Sequence, residues 1–214
     1  MSRIHELLSS LQGDRVEYRR FHYDGKEYFF PYQNIQIEGV EFKGLRDMND
    51  RAKLFTELFD KYECRESYLD VGCNLAYFPR LFSTRFAKVM GIDYDEYYVN
   101  MDHKLYPELD IVQHDLNRMR LTERFTEPFQ AITALSMIEY INDRLTFVQD
   151  LYAITGKLCI IEGHSMDIHD GLDIQYENLI KSQPWKVERL EQLTDAGINA
   201  PPQSKGRPIW ICTK

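Results

Sequence analysis

Residues 68–78 read Tyr68-Leu69-Asp70-Val71-Gly72-Cys73-Asn74-Leu75-Ala76-Tyr77-Phe78. The apolar run of this stretch ends at Gly72, and an apolar pattern with helical spacing begins at Tyr77, so the order strand, tight turn, helix is predicted. A turn that contains glycine lets backbone N–H groups approach a ligand closely. Asp70, at the end of the strand, offers a carboxylate to a cation or a hydroxyl group. The stretch therefore predicts a nucleotide-binding site.

A second short strand that ends in an acid follows at Val89-Met90-Gly91-Ile92-Asp93. Asp93 lies 23 residues after Asp70. A βαβ unit has about 30 residues, with its ribose-binding acid about 20 residues beyond the glycine turn. We therefore expect Asp70 and Asp93 to end neighbouring parallel strands and to lie at the same carboxyl edge of one sheet.

These residues resemble the first motif of the class I S-adenosylmethionine-dependent methyltransferases, an acidic residue followed by G-x-G-x-G. Asn74 and Ala76 stand at the second and third glycine positions. Asn tolerates a positive φ better than most residues, and Ala adds only one methyl group. The resemblance covers residues from about 48 to the C-terminus and implies S-adenosylmethionine as the cofactor. It also implies an α/β fold, a three-layer sandwich with a Rossmann-like, mostly parallel, seven-stranded sheet.

The resemblance assigns cofactor roles to residues at successive strand ends. Asp93 would accept hydrogen bonds from the ribose hydroxyls, and the strand Ile111–Leu116 would end in Asp115, which accepts from the adenine amino group, and Leu116, which packs on the ring. A carboxylate suits this place because the amino group is a donor that would otherwise be buried unpaired. The expected cofactor-binding residues are Asp70, Gly72, Asn74, Asp93, Tyr94, Asp115, Leu116 and Ser136.

Candidate catalytic residues follow the fourth and fifth predicted strands, 129–136 and 157–162. In the resembling family the loop after the fourth strand runs beside cofactor and acceptor, which makes Glu139 and Tyr140 candidates; alternatively, Glu139 begins a solvated helix. Glu162 and His164 lie where a loop at the carboxyl edge would face the acceptor. A neutral imidazole can remove a proton from a hydroxyl or amine, although a loop histidine can also be structural. The expected catalytic residues are His164, Glu139 and Tyr140.

The N-terminal segment, residues 1–47, is predicted to lie outside this sheet. A helix is expected over 2–12, and Asp24-Gly25 between two aromatic runs indicates a β-hairpin. A further strand is expected over 35–40. The extension either packs on the core or dimerises, or it covers the substrate with residues such as Tyr28, Tyr32 and Arg46. Residues 48–214 form the predicted cofactor-binding domain, with further helices over 50–62, 95–105, 143–155 and 173–182, closing strands over 185–190 and 208–213, and a loop over 197–208.

Composition excludes several other classes of protein. The net charge of −8 over 214 residues argues against a nucleic-acid or anionic-membrane surface. The four cysteines are far apart with no CxxC pair, so we expect reduced core residues rather than a disulfide or a metal site. Without an apolar run of about 18 residues or a signal-peptide pattern, a cytoplasmic location is expected.

The sequence therefore predicts a methyltransferase that acts on an O or N nucleophile of a small molecule, with homodimerisation possible through the extension. Two alternatives stay open. One is a subunit that binds the cofactor but is catalytically inactive. The other is an NAD-dependent Rossmann oxidoreductase, although its G-x-G-x-x-G motif would need glycine where Asn74 and Tyr77 stand. No Asn/Asp-Pro-Pro-Tyr/Phe tetrad follows the fourth strand, which argues against methylation of exocyclic amines and of nucleic acid.

Overall fold

The structure is a computed structural model that describes residues 2–11, 20–46, 48–164, 171–190 and 207–214. Within the described residues, the largest sheet has seven strands. In chain order after the four short strands of the N-terminal extension, they are β5 (Ser67–Val71), β6 (Lys88–Asp93), β7 (Asp110–Gln113), β8 (Phe129–Leu135), β9 (Thr155–Glu162), β10 (Lys186–Leu190) and β11 (Ile209–Thr213).

The strand order across the sheet is β10-β11-β9-β8-β5-β6-β7. The five strands from β9 to β7 are parallel, whereas β11 runs antiparallel to both of its neighbours. This confirms the predicted mostly parallel, seven-stranded α/β sheet. The order reverses at β5, which pairs with β6 on one side and β8 on the other, and open α/β sheets bind ligands beyond the strand ends at such a point.

Helices pack on the faces of this sheet through their buried apolar side chains. They are α2 (Asn49–Lys61), α3 (Tyr77–Phe82), α4 (Glu96–Leu105), α5 (Leu121–Arg124), α6 (Arg144–Ile154) and α7 (Leu172–Lys181). Phe55 and Phe59 of α2 join Phe78 and Phe82 of α3 in one buried cluster against Tyr68. A second cluster joins α6 and α7 to the other face. Sheet side chains alternate between the two clusters along β5, as a strand covered on both faces requires.

The N-terminal extension contains α1 (Arg3–Ser10) and two hairpins. The first, β1 (Arg20–Tyr23) with β2 (Lys26–Phe29), turns at Asp24 and Gly25 with φ of 48° and 74°, and confirms the predicted hairpin. The single strand predicted over 35–40 is wrong. The chain reverses at Glu38 and Gly39, with φ of 50° and 81°, and forms β3 (Ile35–Ile37) and β4 (Val40–Phe42). Two consecutive left-handed residues make a hairpin turn, whatever the apolar pattern around them.

The extension packs against the predicted nucleotide-binding turn. Apolar residues of α1, β2, β3 and β4 form one buried cluster with residues of the turn and of α4. The backbone N–H of Gln36 donates to the Tyr106 hydroxyl over 2.9 Å, and Arg80 of α3 donates to the side chain of Gln36 over 3.1 Å. The extension therefore braces α3 and the end of α4, next to the turn at residues 72–76.

Two further boundaries differ from the sequence prediction. β7 ends at Gln113, so Asp115 and Leu116 lie in a turn rather than at the end of a strand. The reason is local, because the backbone carbonyl of Asp115 accepts from the N–H groups of Arg118 and Met119, each over 3.0 Å. The 3₁₀ turn Ile138–Tyr140 and the short α5 were not predicted. Most of the predicted loop over 197–208 lies outside the described residues.

All four cysteines are buried free thiols. None of the helices in the part of the chain that the structure describes has the length and apolar character needed to span a bilayer.

Candidate functional site

The turn after β5 has a positive φ at every second residue. Gly72, Asn74 and Ala76 have φ of 79°, 51° and 49°, so the two substitutes for glycine adopt a glycine-like conformation. Asn74 stabilises this conformation locally, since its side-chain carbonyl accepts from the N–H of Leu75 over 2.9 Å. The N–H groups of Gly72 and Cys73 both donate to the carbonyl of Ile92, over 2.8 and 3.0 Å, and tie the turn to β6.

Gly72 is also a point of close approach. A Cβ atom there would lie 3.3 Å from the sulfur of Met137, in the segment that follows β8. Together with its positive φ, this contact leaves little room for a side chain. The turn at residues 72–76 and the start of the loop after β8 are therefore close neighbours.

Asp93 ends β6 next to this turn and is 7% exposed. One carboxylate oxygen accepts from the N–H of Asn74 over 2.9 Å, and the other accepts from the N–H of Asp95 over 3.0 Å. Burial raises the pKa of Asp93, and these two backbone hydrogen bonds oppose that rise. Because each carboxylate oxygen has two lone pairs, Asp93 keeps acceptor capacity for the hydroxyl groups of a ligand.

Asp70 lies on the strand beside it, opposite Gly91 in the parallel register, so the two acids share one edge as expected. Asp70 is 2% exposed and accepts from the Thr133 hydroxyl over 2.6 Å. Burial raises its pKa to about 7; the negative charge of Asp93 adds to the rise, and the hydrogen bond from Thr133 opposes it. Near neutral pH Asp70 is therefore balanced between its two protonation states, and a nearby cation would favour the charged one.

Tyr94, Asp115 and Leu116 lie beyond the ends of β6 and β7, at the same edge. The side chain of Gln113 donates to the carbonyl of Tyr94 over 3.1 Å and links the two loops. Tyr94 is 68% exposed, which leaves its ring open to a planar ligand. The carboxylate of Asp115 accepts from the N–H of Asn117 over 2.9 Å and pairs with Arg118 over 3.1 Å. Tyr94, Asp115 and Leu116, all predicted to bind the cofactor, thus lie in the loops after β6 and β7, and their roles stay predictions.

The loop after β8 carries Glu139 and Tyr140 in the 3₁₀ turn. Most of the Tyr140 side chain is exposed, but partial desolvation of its hydroxyl and a hydrogen bond with Glu139 raise the pKa of Tyr140 to about 12. At neutral pH this hydroxyl is protonated and acts as a hydrogen-bond donor, not as a base. His164 lies two residues after the end of β9, half-buried, next to residues 165–170, which are outside the described range.

A buried polar cluster lies between β8 and β9 at the same edge. Glu162 is fully buried, and Arg51 of α2 donates to its two carboxylate oxygens from Nε and Nη2, each over 2.8 Å. The hydroxyl of Ser136 donates to Glu162 over 2.6 Å. Arg207, which precedes β11, donates to Glu162 over 3.4 Å and to the Ser136 hydroxyl. The side chain of Ser136, predicted to bind cofactor, is thus engaged within the protein.

Sequence analysis did not identify Arg51, Arg207 or Thr133. For Arg51 a signal was present: it shares one helical face with Phe55 and Leu58, and a charged residue on an apolar face indicates a buried partner. Arg207 precedes β11 with no motif around it, and Thr133 reads as an ordinary strand residue.

The chain resembles known proteins in sequence and in fold. A family model described as "Methyltransferase domain" matches residues 45–193. A "Ubiquinone biosynthesis O-methyltransferase" of Pseudomonas entomophila is 30% identical over 115 residues, which are 52% of this chain and 49% of that protein. The chain therefore spans about half the length of the curated relatives it matches.

Among solved structures, an S-adenosylmethionine-dependent methyltransferase from Clostridium acetobutylicum aligns with a TM-score of 0.62 at 9% identity, over 78% of this chain and 92% of that one. The N-methyltransferase NodS of Bradyrhizobium japonicum, solved with S-adenosyl-L-homocysteine, aligns with a TM-score of 0.61 at 10% identity, over 78% and 86% of the two chains. At these identities the likeness establishes the fold.

Proposed function

Because this chain belongs to the methyltransferase-domain family, within the class I S-adenosylmethionine-dependent methyltransferases, we propose that it transfers the methyl group of S-adenosylmethionine to an O or N nucleophile of a small molecule. The observation that carries this proposal is the convergence of Asp70, Asp93 and the left-handed turn at residues 72–76 at one carboxyl edge.

The residues present suit this cofactor. Asp93 retains lone pairs for two neighbouring ribose hydroxyls while backbone N–H groups hold its carboxylate in place. Asp115 and Leu116 would hold the adenine amino group and the ring. Asp70 would face the cationic amino-acid end, where a positive charge favours its ionised form. Gly72, with a φ of 79° and Met137 against it, keeps the turn in the left-handed conformation that brings its backbone N–H groups to this edge.

The bound cofactor supplies an electrophilic methyl group, and the chain supplies alignment. Holding the acceptor and the methyl group in line lowers the activation barrier, because their translational and rotational entropy is lost on binding and not in the transition state. The loop after β8 would form the acceptor side, with the protonated hydroxyl of Tyr140 as a hydrogen-bond donor and Glu139 beside it. His164 would remove a proton from an acceptor that is not already nucleophilic at the working pH.

The curated relatives favour oxygen as the acceptor atom, since all three that match carry the name O-methyltransferase. A phenolic hydroxyl gains nucleophilicity on deprotonation, which gives His164 a defined task. An amine acceptor is the second candidate, because the aligned NodS is an N-methyltransferase.

Incubation with S-adenosylmethionine and a panel of phenols, catechols and amines, followed by mass detection of the methylated product, tests this function. We expect methylation of at least one hydroxyl-bearing acceptor, and loss of activity in Asp93→Ala. Asp110→Ala, at an exposed position on β7, is the matched control. Saturable cofactor binding by calorimetry without transfer to any acceptor would instead support an inactive cofactor-binding subunit.

A further inference from the structure

The polar cluster of Glu162, Arg51, Ser136 and Arg207, here called the Glu162 joint, connects distant parts of the chain. Arg51 comes from α2, Ser136 from the end of β8 and Arg207 from the approach to β11. Glu162 is fully buried, and both of its carboxylate oxygens accept hydrogen bonds. It is therefore shielded from solvent and engaged at both oxygens, which rules it out as a base that contacts the acceptor.

The Glu162 joint holds the backbone of Ser136 in an unusual conformation. This residue has a φ of 52°, in the left-handed region that a serine rarely adopts. Its N–H donates to the carbonyl of Glu162 over 2.8 Å, and its hydroxyl donates to the carboxylate of the same residue over 2.6 Å. Two hydrogen bonds to one buried residue thus hold the strained conformation.

Residues 137–140 follow directly and form the face that the proposed acceptor would meet. At their start, the sulfur of Met137 lies against Gly72 of the cofactor turn. At their end, Arg144 of α6 donates to the carbonyls of Ile138 and Glu139, each over 3.2 Å. The segment is therefore fixed on both sides, by the Glu162 joint before it and by Arg144 after it.

We propose that Glu162 is a positioning residue for methyl transfer: its buried carboxylate sets the conformation of Ser136 and thereby holds residues 137–140 in place against the bound cofactor. This inference rests on the proposed function for its effect on turnover. Its structural part concerns only the conformation of one loop and is measurable without any acceptor.

Glu162→Gln tests the inference, because glutamine keeps the size of the side chain and removes the charge that two arginines and Ser136 contact. The matched control is Asp150→Asn. Asp150 of α6 is also buried, at 2% exposure, and also binds an arginine, Arg120, over 2.6 Å, but it contacts α5 rather than the loop after β8. Both variants neutralise a buried carboxylate that an arginine contacts, with Arg120 half-exposed and Arg51 buried, so general destabilisation affects both.

Amide hydrogen exchange of the unliganded proteins is the first measurement. In Glu162→Gln we expect exchange at residues 136–141 to accelerate about tenfold or more, while the turn at 72–76 keeps its rate; Asp150→Asn should change neither. If Glu162→Gln does not fold, Ser136→Ala, which removes only the hydroxyl, should accelerate the same residues to a smaller extent. Unchanged exchange at 136–141 in the variant that folds would overturn the inference.

Kinetics are the second measurement. Misplacement of reacting groups by about 1 Å costs on the order of 100-fold in rate, so kcat should fall about 10-fold to 100-fold in Glu162→Gln. Affinity for S-adenosylhomocysteine should stay within about threefold, because the proposed ribose and adenine contacts, Asp93 and Asp115, lie at the ends of β6 and β7, across β5 from the Glu162 joint. A parallel fall of kcat and affinity, or equal effects in Asp150→Asn, would indicate a merely structural role and overturn the inference. If the unmodified protein methylates no acceptor, the proposed function fails, and the exchange measurement still decides the role of Glu162.

Discussion

Replacement of Asp102 by asparagine should stabilise the protein, and increasingly so as the pH rises from acidic to neutral. Asp102 lies on α4 and is fully buried, and neither of its carboxylate oxygens has a hydrogen-bond partner within the described parts of the chain. Burial raises its pKa from the ordinary 3.8 to about 9, and the negative charges of Asp93 and Asp70 add to the rise. Asp102 is therefore a neutral acid in the folded protein at pH 7.

The sign and size of the effect follow from proton linkage. Between pH 3.8 and about 9 the folded state keeps a proton that the unfolded state has lost. Stability therefore falls with rising pH throughout this window, by about 1.4 kcal/mol per pH unit. At pH 7 the accumulated cost is on the order of 4 kcal/mol, and at pH 5 it is on the order of 1.5 kcal/mol. Asparagine does not titrate, so Asp102→Asn removes this cost, although it buries an amide at the same site.

Urea unfolding of both proteins at pH 5, 6 and 7 measures the effect. The free energy of unfolding of Asp102→Asn minus that of the unmodified protein should increase by about 2 to 3 kcal/mol from pH 5 to pH 7. The same substitution at the exposed Asp110 controls for the loss of one negative charge. A difference that stays constant or decreases over this range would refute the reasoning that Asp102 is buried as a neutral acid.

Three further predictions concern the site itself. Binding of S-adenosylmethionine at pH 7 should release about half a proton, because the cationic ligand lowers the pKa of Asp70 from about 7. Calorimetry in two buffers with different ionisation enthalpies measures the proton release, and equal binding heats in the two buffers would contradict the prediction. Gly72→Ala should weaken cofactor binding about tenfold or more and lower the free energy of unfolding by about 1 kcal/mol, because φ is 79° and Met137 is close. Unchanged affinity in an equilibrium titration would argue against close approach of the ligand to the backbone of this turn. His164→Ala should lower kcat about 100-fold or more for a hydroxyl acceptor, and part of the rate should return at high pH, where the acceptor ionises without a base. Unchanged turnover would contradict the assignment of His164 as the base.

Local pattern and one topological rule predicted most of the strands and the meeting of two acids, whereas the family resemblance implied the seven-stranded sheet. Parallel strands joined by a helix end at the same edge, so the spacing of Asp70 and Asp93 was sufficient to bring them together. Asn74 and Ala76 adopted the left-handed backbone of the glycines they replace. The turn and the two acids are encoded within about 25 consecutive residues.

Features that depend on distant contacts were not predictable in the same way. The ion pair of Arg51 and Glu162 joins residues 111 positions apart, and no local pattern identifies the partner of a buried charge. The hairpin at residues 35–42 was missed because its apolar residues resemble one continuous strand, and only the left-handed conformation of Glu38 and Gly39 reverses the chain. Asp102 reads as a polar position on an amphipathic helix, and the folded chain buries it near Asp93 and Asp70 of the sheet.

The most direct test of the account is a crystal structure of the protein grown with S-adenosylhomocysteine. We predict electron density for the nucleoside at the carboxyl edge, with ribose oxygens within hydrogen-bonding distance of the Asp93 carboxylate and the adenine ring between the loops of Tyr94 and Leu116. Density for the ligand elsewhere, or a site at Asp93 that stays empty at saturating ligand, would contradict the claim that Asp70 and Asp93 together form the cofactor site.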